Sequence, residues 1–169
     1  MLKALSANTA VTSSSTTSTS RVAAASTLSV VATPSALRDL EHKWRKLENQ
    51  PQNPTRVFQS FEWVMAWTDT YIYQNSTTSL HILAGYEGDD LVFVWPLMRA
   101  RRLGFSVLTW LSDPFGQYGD VLCSKGQNAK QWISSSITFL NRLKDVDILR
   151  LRHVREDSHL FGCANLLVN

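Results

Sequence analysis

At 169 residues, 44% of them hydrophobic, the chain is long enough to bury one core without disulfides or metals. Its formal net charge of +3 arises from 17 basic and 14 acidic residues with no basic tract, which argues against a nucleic-acid-binding protein. Cys123 and Cys163 have no C-x-x-C spacing, and the longest apolar runs, such as Leu91 to Leu97, fall well short of the roughly 20 residues that span a bilayer. A soluble, cytoplasmic chain with free thiols is expected.

Residues 1–33 carry only Lys3 and Arg21 as charges and are dense in Ser, Thr and Ala. That composition cannot bury a core and predicts a disordered leader; an apolar stretch broken by Ser26, Thr27 and Ser29 does not make a secretory signal. Thr33-Pro34-Ser35 then starts a helix, since Pro34 is pre-set for the first turn and a hydroxyl can cap it. Leu37, Leu40, Trp44 and Leu47 share its inward face, and the two prolines between Asn49 and Pro54 end it. A second helix begins at Ser60, with Glu62 in its positive first turn. Its stripe of Trp63, Val64, Trp67 and Tyr71 reads as core, with Trp63 the one ring to watch for ligand contact.

From Leu80 the period changes. Leu80 to Tyr86 and Leu91 to Met98 flank the turn Glu87-Gly88-Asp89-Asp90 and predict a hairpin, whose second strand should bulge, bend or lie at an edge at Pro96. Arg99, Arg101 and Arg102 lead through Leu103-Gly104 into a third antiparallel strand, Phe105 to Leu111; beside Trp95 and Trp110 they read as a solvated surface. Asp113-Pro114-Phe115-Gly116 is a loop, and Tyr118 to Cys123 is extended. A third helix covers about residues 128–143 with Trp132, Ile133, Ile137, Leu140 and Leu143 on one face, and Asp147 to Val154 alternates as a strand.

Phe58-Gln59-Ser60-Phe61-Glu62-Trp63 with Trp67, Trp95-Pro96-Leu97 with the Arg-rich turn, Pro114-Phe115 with Tyr118-Gly119-Asp120, and Asp147-Ile148-Leu149-Arg150-Leu151 occur in one order. Together they resemble the N-terminal half of GNAT-type acyltransferases of the CelD (cellulose-biosynthesis) kind, over about residues 35–158. The resemblance implies an α/β (α+β) fold: a GNAT-like lobe with a mixed, mainly antiparallel central sheet flanked by helices, its last elements missing. It also implies two fused lobes, the second carrying the acyltransferase domain that moves an acyl group from CoA to an amine or hydroxyl, in polysaccharide biosynthesis. On this reading the chain is a truncated N-terminal lobe, inactive alone, divided into a leader at 1–33, a GNAT-like domain at 34–158 and an irregular tail at 159–169.

A GNAT lobe binds the CoA pyrophosphate on free N–H groups where a Gly-rich segment opens a helix. The equivalent segment, Ser124-Lys125-Gly126-Gln127-Asn128, has a single glycine and lacks the Q/R-x-x-G-x-G/A pattern, so no cofactor is expected in this chain, although the full-length family implies acetyl-CoA or another acyl-CoA. Tyr118 and Asp120, two apart in an extended segment, point to one face, where they either meet an acceptor nucleophile or brace the preceding loop. With Trp63 they form the candidate substrate-binding set, and no catalytic residue is assigned. Glu62 suits the helix dipole alone, and His153, His159, Glu156 and Asp157 lack metal-ligand spacing. The expected partner is a small-molecule or saccharide acceptor if a second lobe is present, without nucleic acid or a membrane span. The alternative is a non-catalytic interaction module that self-associates through an uncovered sheet face.

Overall fold

The computed structural model describes residues 25–51 and 57–166. The expected leader as far as residue 24, the prolyl turn at 52–56 and residues 167–169 lie outside them. The leader reading fails at its end: Ser26–Val31 forms strand β1, antiparallel to Ile82–Glu87. Val31 is buried, and Leu28 and Val30 pack partly against the core, so a segment with little local signal takes its structure from a distant partner strand.

Pro34–Asp39 (α1) and Glu41–Glu48 (α2) replace the single helix expected from the sequence. Thr33 caps α1 by accepting from Ala36 N at 3.2 Å, and Leu40 tightens the chain between the two helices through its N–H to Leu37 O. The predicted inward face survives this kink, with Leu37, Leu40, Trp44 and Leu47 all in one buried cluster. Ser60 caps Phe61–Trp67 (α3) by accepting from Trp63 N at 3.3 Å, and α3 runs on into a wider π turn over Thr68–Ile72, closed by Tyr73 N to Thr68 O at 3.0 Å. Thr68 and Thr70 return their hydroxyls to Val64 O and Ala66 O, a back-bonding that bends helices.

The hairpin is longer than expected and changes sheet halfway. Thr78–Leu80 (β2) and Ile82–Glu87 (β3) run antiparallel to Leu97–Arg102 (β5) and Asp90–Trp95 (β4), and the pairs Leu80↔Met98 and Leu83↔Trp95 belong to one alignment. In that alignment Pro96 faces Ile82 and brings no N–H, so the ladder opens there; His81 N to Leu97 O, at 3.1 Å, is the bond beside the gap. Beyond the gap the strands separate into two four-stranded sheets. One has the order β1-β3-β4 and then Leu122–Cys123 (β7); the other has β2-β5, Phe105–Trp110 (β6) and Ile148–Arg150 (β8). All pairings within the sheets are antiparallel except β6 with β8.

Ala129–Leu140 (α4), capped by Asn128, covers one side of the sheets, and α1 to α3 cover the other, which divides the core into two clusters. Trp132 of α4 lies flat on Phe93, with centroids 5.8 Å apart, and it fits because position 85 is glycine. The last strand ends earlier than predicted, at Arg150, with His153 at φ 55 before the isolated Gly119↔Val154 bridge. The tail expected to be irregular from 159 is also corrected. Phe161–Leu166 is a 3₁₀ turn that packs on α4, and Leu160 and Cys163 are buried in the second cluster.

Candidate functional site

Helical spacing stacks Trp63, Trp67 and Tyr71 along one flank of α3 and its π turn. The Trp63 and Trp67 planes are 5° apart with centroids separated by 6.3 Å, and Tyr71 follows 4.8 Å from Trp67. Phe58, from the short turn Val57–Gln59, meets Trp63 edge-on at 4.9 Å and Tyr118 at 4.8 Å. Phe115 leans on Trp67 at 5.6 Å, and the Arg155 guanidinium lies 5.2 Å over Tyr118. These contacts join Phe58, Trp63, Trp67, Tyr71, Phe115 and Tyr118 into one ladder drawn from three segments.

The reading of this stripe as core holds for Val64, and Trp67 and Tyr71 pack against the same cluster, whereas Trp63 belongs to neither cluster. Phe61, Val64, Thr68 and Ile72 face inward, whereas Trp63, Trp67 and Tyr71 stay half-buried, because the inward face is set one position away from the aromatic one. The indole N–H groups of Trp63 and Trp67 are shielded from solvent and have no hydrogen-bond partner among the described residues. Shielded donors in that state are uncommon in native proteins.

Of the three sequence candidates, Trp63 and Tyr118 belong to the ladder, and Asp120 is turned away from it. Asp120 is 0% exposed, and its carboxylate accepts from His159 N at 3.0 Å and Leu160 N at 3.3 Å. It fastens the C-terminal turn to the strand leading into β7. Asp113, 5% exposed, accepts from Arg150 at 2.6 Å and Arg102 at 3.4 Å and so pins the loop that carries Phe115 and Tyr118 over the second sheet. Glu62 bonds Arg45, which holds its carboxyl below the usual range. Glu48 is pushed upward by burial, although it accepts from Phe61 N at 2.7 Å.

The turn from β7 into α4 contains Ser124 to Asn128, the segment compared above with a pyrophosphate-binding turn. Lys125 N donates to Gln50 Oε1 at 2.9 Å, Gln127 N to Ser124 O at 3.1 Å and Gln131 N to Asn128 Oδ1 at 3.2 Å. Gly126 has φ 83, and a Cβ added there would meet nothing within 4 Å, so its glycine is explained by turn geometry rather than by close approach of a ligand. The Lys125, Gln127 and Gln131 amides are thus held by protein acceptors.

Among the described residues no three His, Cys, Asp or Glu side chains converge to hold a metal, and no helix is long and apolar enough to cross a membrane. Both cysteine thiols are pushed up by burial, Cys123 to about 11, which disfavours the nucleophilic thiolate. The sequence reading quoted Phe58 and Phe115 but left them outside the site. The available signal was aromatic residues at 58, 63, 67 and 71 on both sides of the helix cap.

No family model matches the sequence, and no curated protein matches it. One similar solved structure is that of an aminoglycoside acetyltransferase from an uncultured soil metagenomic sample, in complex with sisomicin. It has a TM-score of 0.52 and 9% sequence identity, with 85% of this chain and 88% of that chain covered. At that identity the likeness concerns the fold alone: a mixed α/β architecture with two mainly antiparallel sheets flanked by helices.

Proposed function

We propose that the chain is an acyltransferase-type lobe that binds and positions a small acceptor, bearing amine or hydroxyl groups, against the aromatic ladder. The observation that carries this reading is the continuous ring-to-ring surface of Phe58, Trp63, Trp67, Tyr71, Phe115 and Tyr118. Aromatic faces take the C–H face of a sugar or other ring, and a few polar groups at the edge of such an apolar wall, here the Tyr118 hydroxyl and Arg155, fix a ligand in orientation. A saccharide acceptor, the class implied by the CelD-type resemblance, suits this surface. So does an aminoglycoside of the kind bound by the structural neighbour.

In this proposal Trp63 and Trp67 stack on the acceptor, Tyr118 orients it, and Asp113 keeps the loop in place. No acyl-CoA contact is assigned to this chain in the proposal, in which Lys125 N and Gln131 N are held by Gln50 and Asn128. The Lys125 and Gln131 amides, held by Gln50 and Asn128, favour the second reading, a non-catalytic protein-interaction module of the same fold that takes up no small acceptor. Titration separates the two. Tryptophan fluorescence is followed against sisomicin, and thermal shift against acetyl-CoA, since a ligand that binds only the folded state raises the melting temperature. Saturable quenching by the acceptor that Phe115→Ala weakens is expected, with no shift from acetyl-CoA. Absence of quenching by any amino-sugar or saccharide acceptor overturns the proposal.

A further inference from the structure

We propose that the tip of the β5–β6 hairpin is a membrane-surface finger, which places Leu103, Phe105 and Ile148 in the interfacial layer of an anionic bilayer. Arg102 pairs with Phe105 across a two-residue turn in which Leu103 has φ 50 and Gly104 φ 88. A turn with both central residues in the left-handed region selects Asn, Asp or Gly, and a leucine there is held against its backbone preference. Leu103 gains no burial in return: it is 99% exposed, and a Cβ added at Gly104 would meet nothing within 4 Å.

The tip does not stand alone. Phe105 is 54% exposed and Ile148 is 43% exposed. The register Val107↔Ile148 puts both on one face of the sheet, so an apolar edge continues from the tip. Basic groups run along the hairpin and the strand beside it: Arg101 and Arg102 stand next to the tip, Arg99 binds Asp145, Arg102 and Arg150 share Asp113, and Lys144 is exposed. Asp147 accepts from Ser106 N at 2.7 Å. Five cations therefore stand against three carboxylates, and each of those carboxylates is already engaged.

An apolar point with a cationic rim is complementary to anionic headgroups over hydrocarbon. Two aliphatic side chains and one phenylalanine at the tip make little flat area for a protein interface, and a single ring is a poor platform for successive nucleic-acid bases. Such attachment is peripheral, in keeping with the absence among the described residues of a helix able to span a membrane.

The test is flotation of the full chain with vesicles of phosphatidylcholine alone and of equal parts phosphatidylcholine and phosphatidylserine. Binding to the mixed vesicles alone is expected, and added salt should weaken it. Leu103→Asn suits the backbone and keeps the chain folded, which circular dichroism and melting check, while vesicle partitioning falls about tenfold. Arg101→Gln lowers partitioning less. Failure to float with the mixed vesicles, or flotation of Leu103→Asn equal to that of the unaltered chain, overturns the proposal. Self-association that Leu103→Asn abolishes, without flotation, overturns it equally and assigns the tip to a second copy.

Discussion

Asp113 and Arg150 lie 2.6 Å apart, joining the turn after β6 to the last strand of the second sheet, and Arg102 reaches the same oxygen at 3.4 Å. The carboxylate is withdrawn from water while both guanidinium groups remain partly solvated, so the pair is worth less than a fully buried one. Asp113→Asn is expected to cost about 1–2 kcal/mol in urea unfolding. Because the same loop carries Phe115 and Tyr118, acceptor quenching should weaken in this variant even under conditions where the chain stays folded.

Phe115 offers the cleaner separation of binding from stability. Its ring is exposed, and its ring contact is with Trp67, so Phe115→Ala should alter stability by no more than about 0.5 kcal/mol. Trp67→Leu, by contrast, removes contacts with Trp63, Tyr71 and Phe115 and should cost about 1–3 kcal/mol. Both variants should lose acceptor-induced quenching, and equal binding by Phe115→Ala would remove that ring from the site.

Gly85 predicts a steric effect with no chemistry in it. A Cβ at this position would stand 2.7 Å from a ring carbon of Trp132 and 3.0 Å from Cβ of Phe93. The indole is already packed flat on Phe93, so it can move away only by disturbing α4. Gly85→Ala is expected to destabilise by about 1–3 kcal/mol, read by chemical denaturation. Near-UV circular dichroism should report the displaced tryptophan.

Much of this arrangement was legible in residue order. The Thr33 and Ser60 caps, the turn before Asp90, the interruption at Pro96 and the α4 stripe follow from local chemistry and stand as expected. What escaped reading depends on partners distant in sequence. Strand β1 exists because β3 presents an edge to a stretch of small polar residues, and Leu160 is core because Asp120, forty positions earlier, holds its N–H. Trp63 and Tyr118 were chosen from motifs, but their union needed Phe58 between them, which spacing along one helix cannot show. Asp120 was chosen by the same face argument as Tyr118, and backbone donors from the C-terminal turn draw it inward instead.

His81 supplies a pH dependence whose sign is fixed by burial. It is 7% exposed, its Nε2 has no partner among the described residues, and its pKa falls from 6.5 to about 4. Desolvation is the main cause; the Arg99 charge adds to it and Asp145 opposes it. Because the folded pKa lies below the unfolded one, the unfolded chain binds more protons between pH 4 and 6.5. Stability is thus complete above the unfolded value and declines as pH falls through that window, by at most about 3 kcal/mol. Glu48, raised by burial, acts in the opposite direction and reduces the net slope. Replacing the imidazole isolates its share: His81→Gln should melt with a flatter pH profile than the unaltered chain between pH 4 and 6.5. Parallel profiles for the two proteins would show that His81 is protonated as readily when folded as when unfolded.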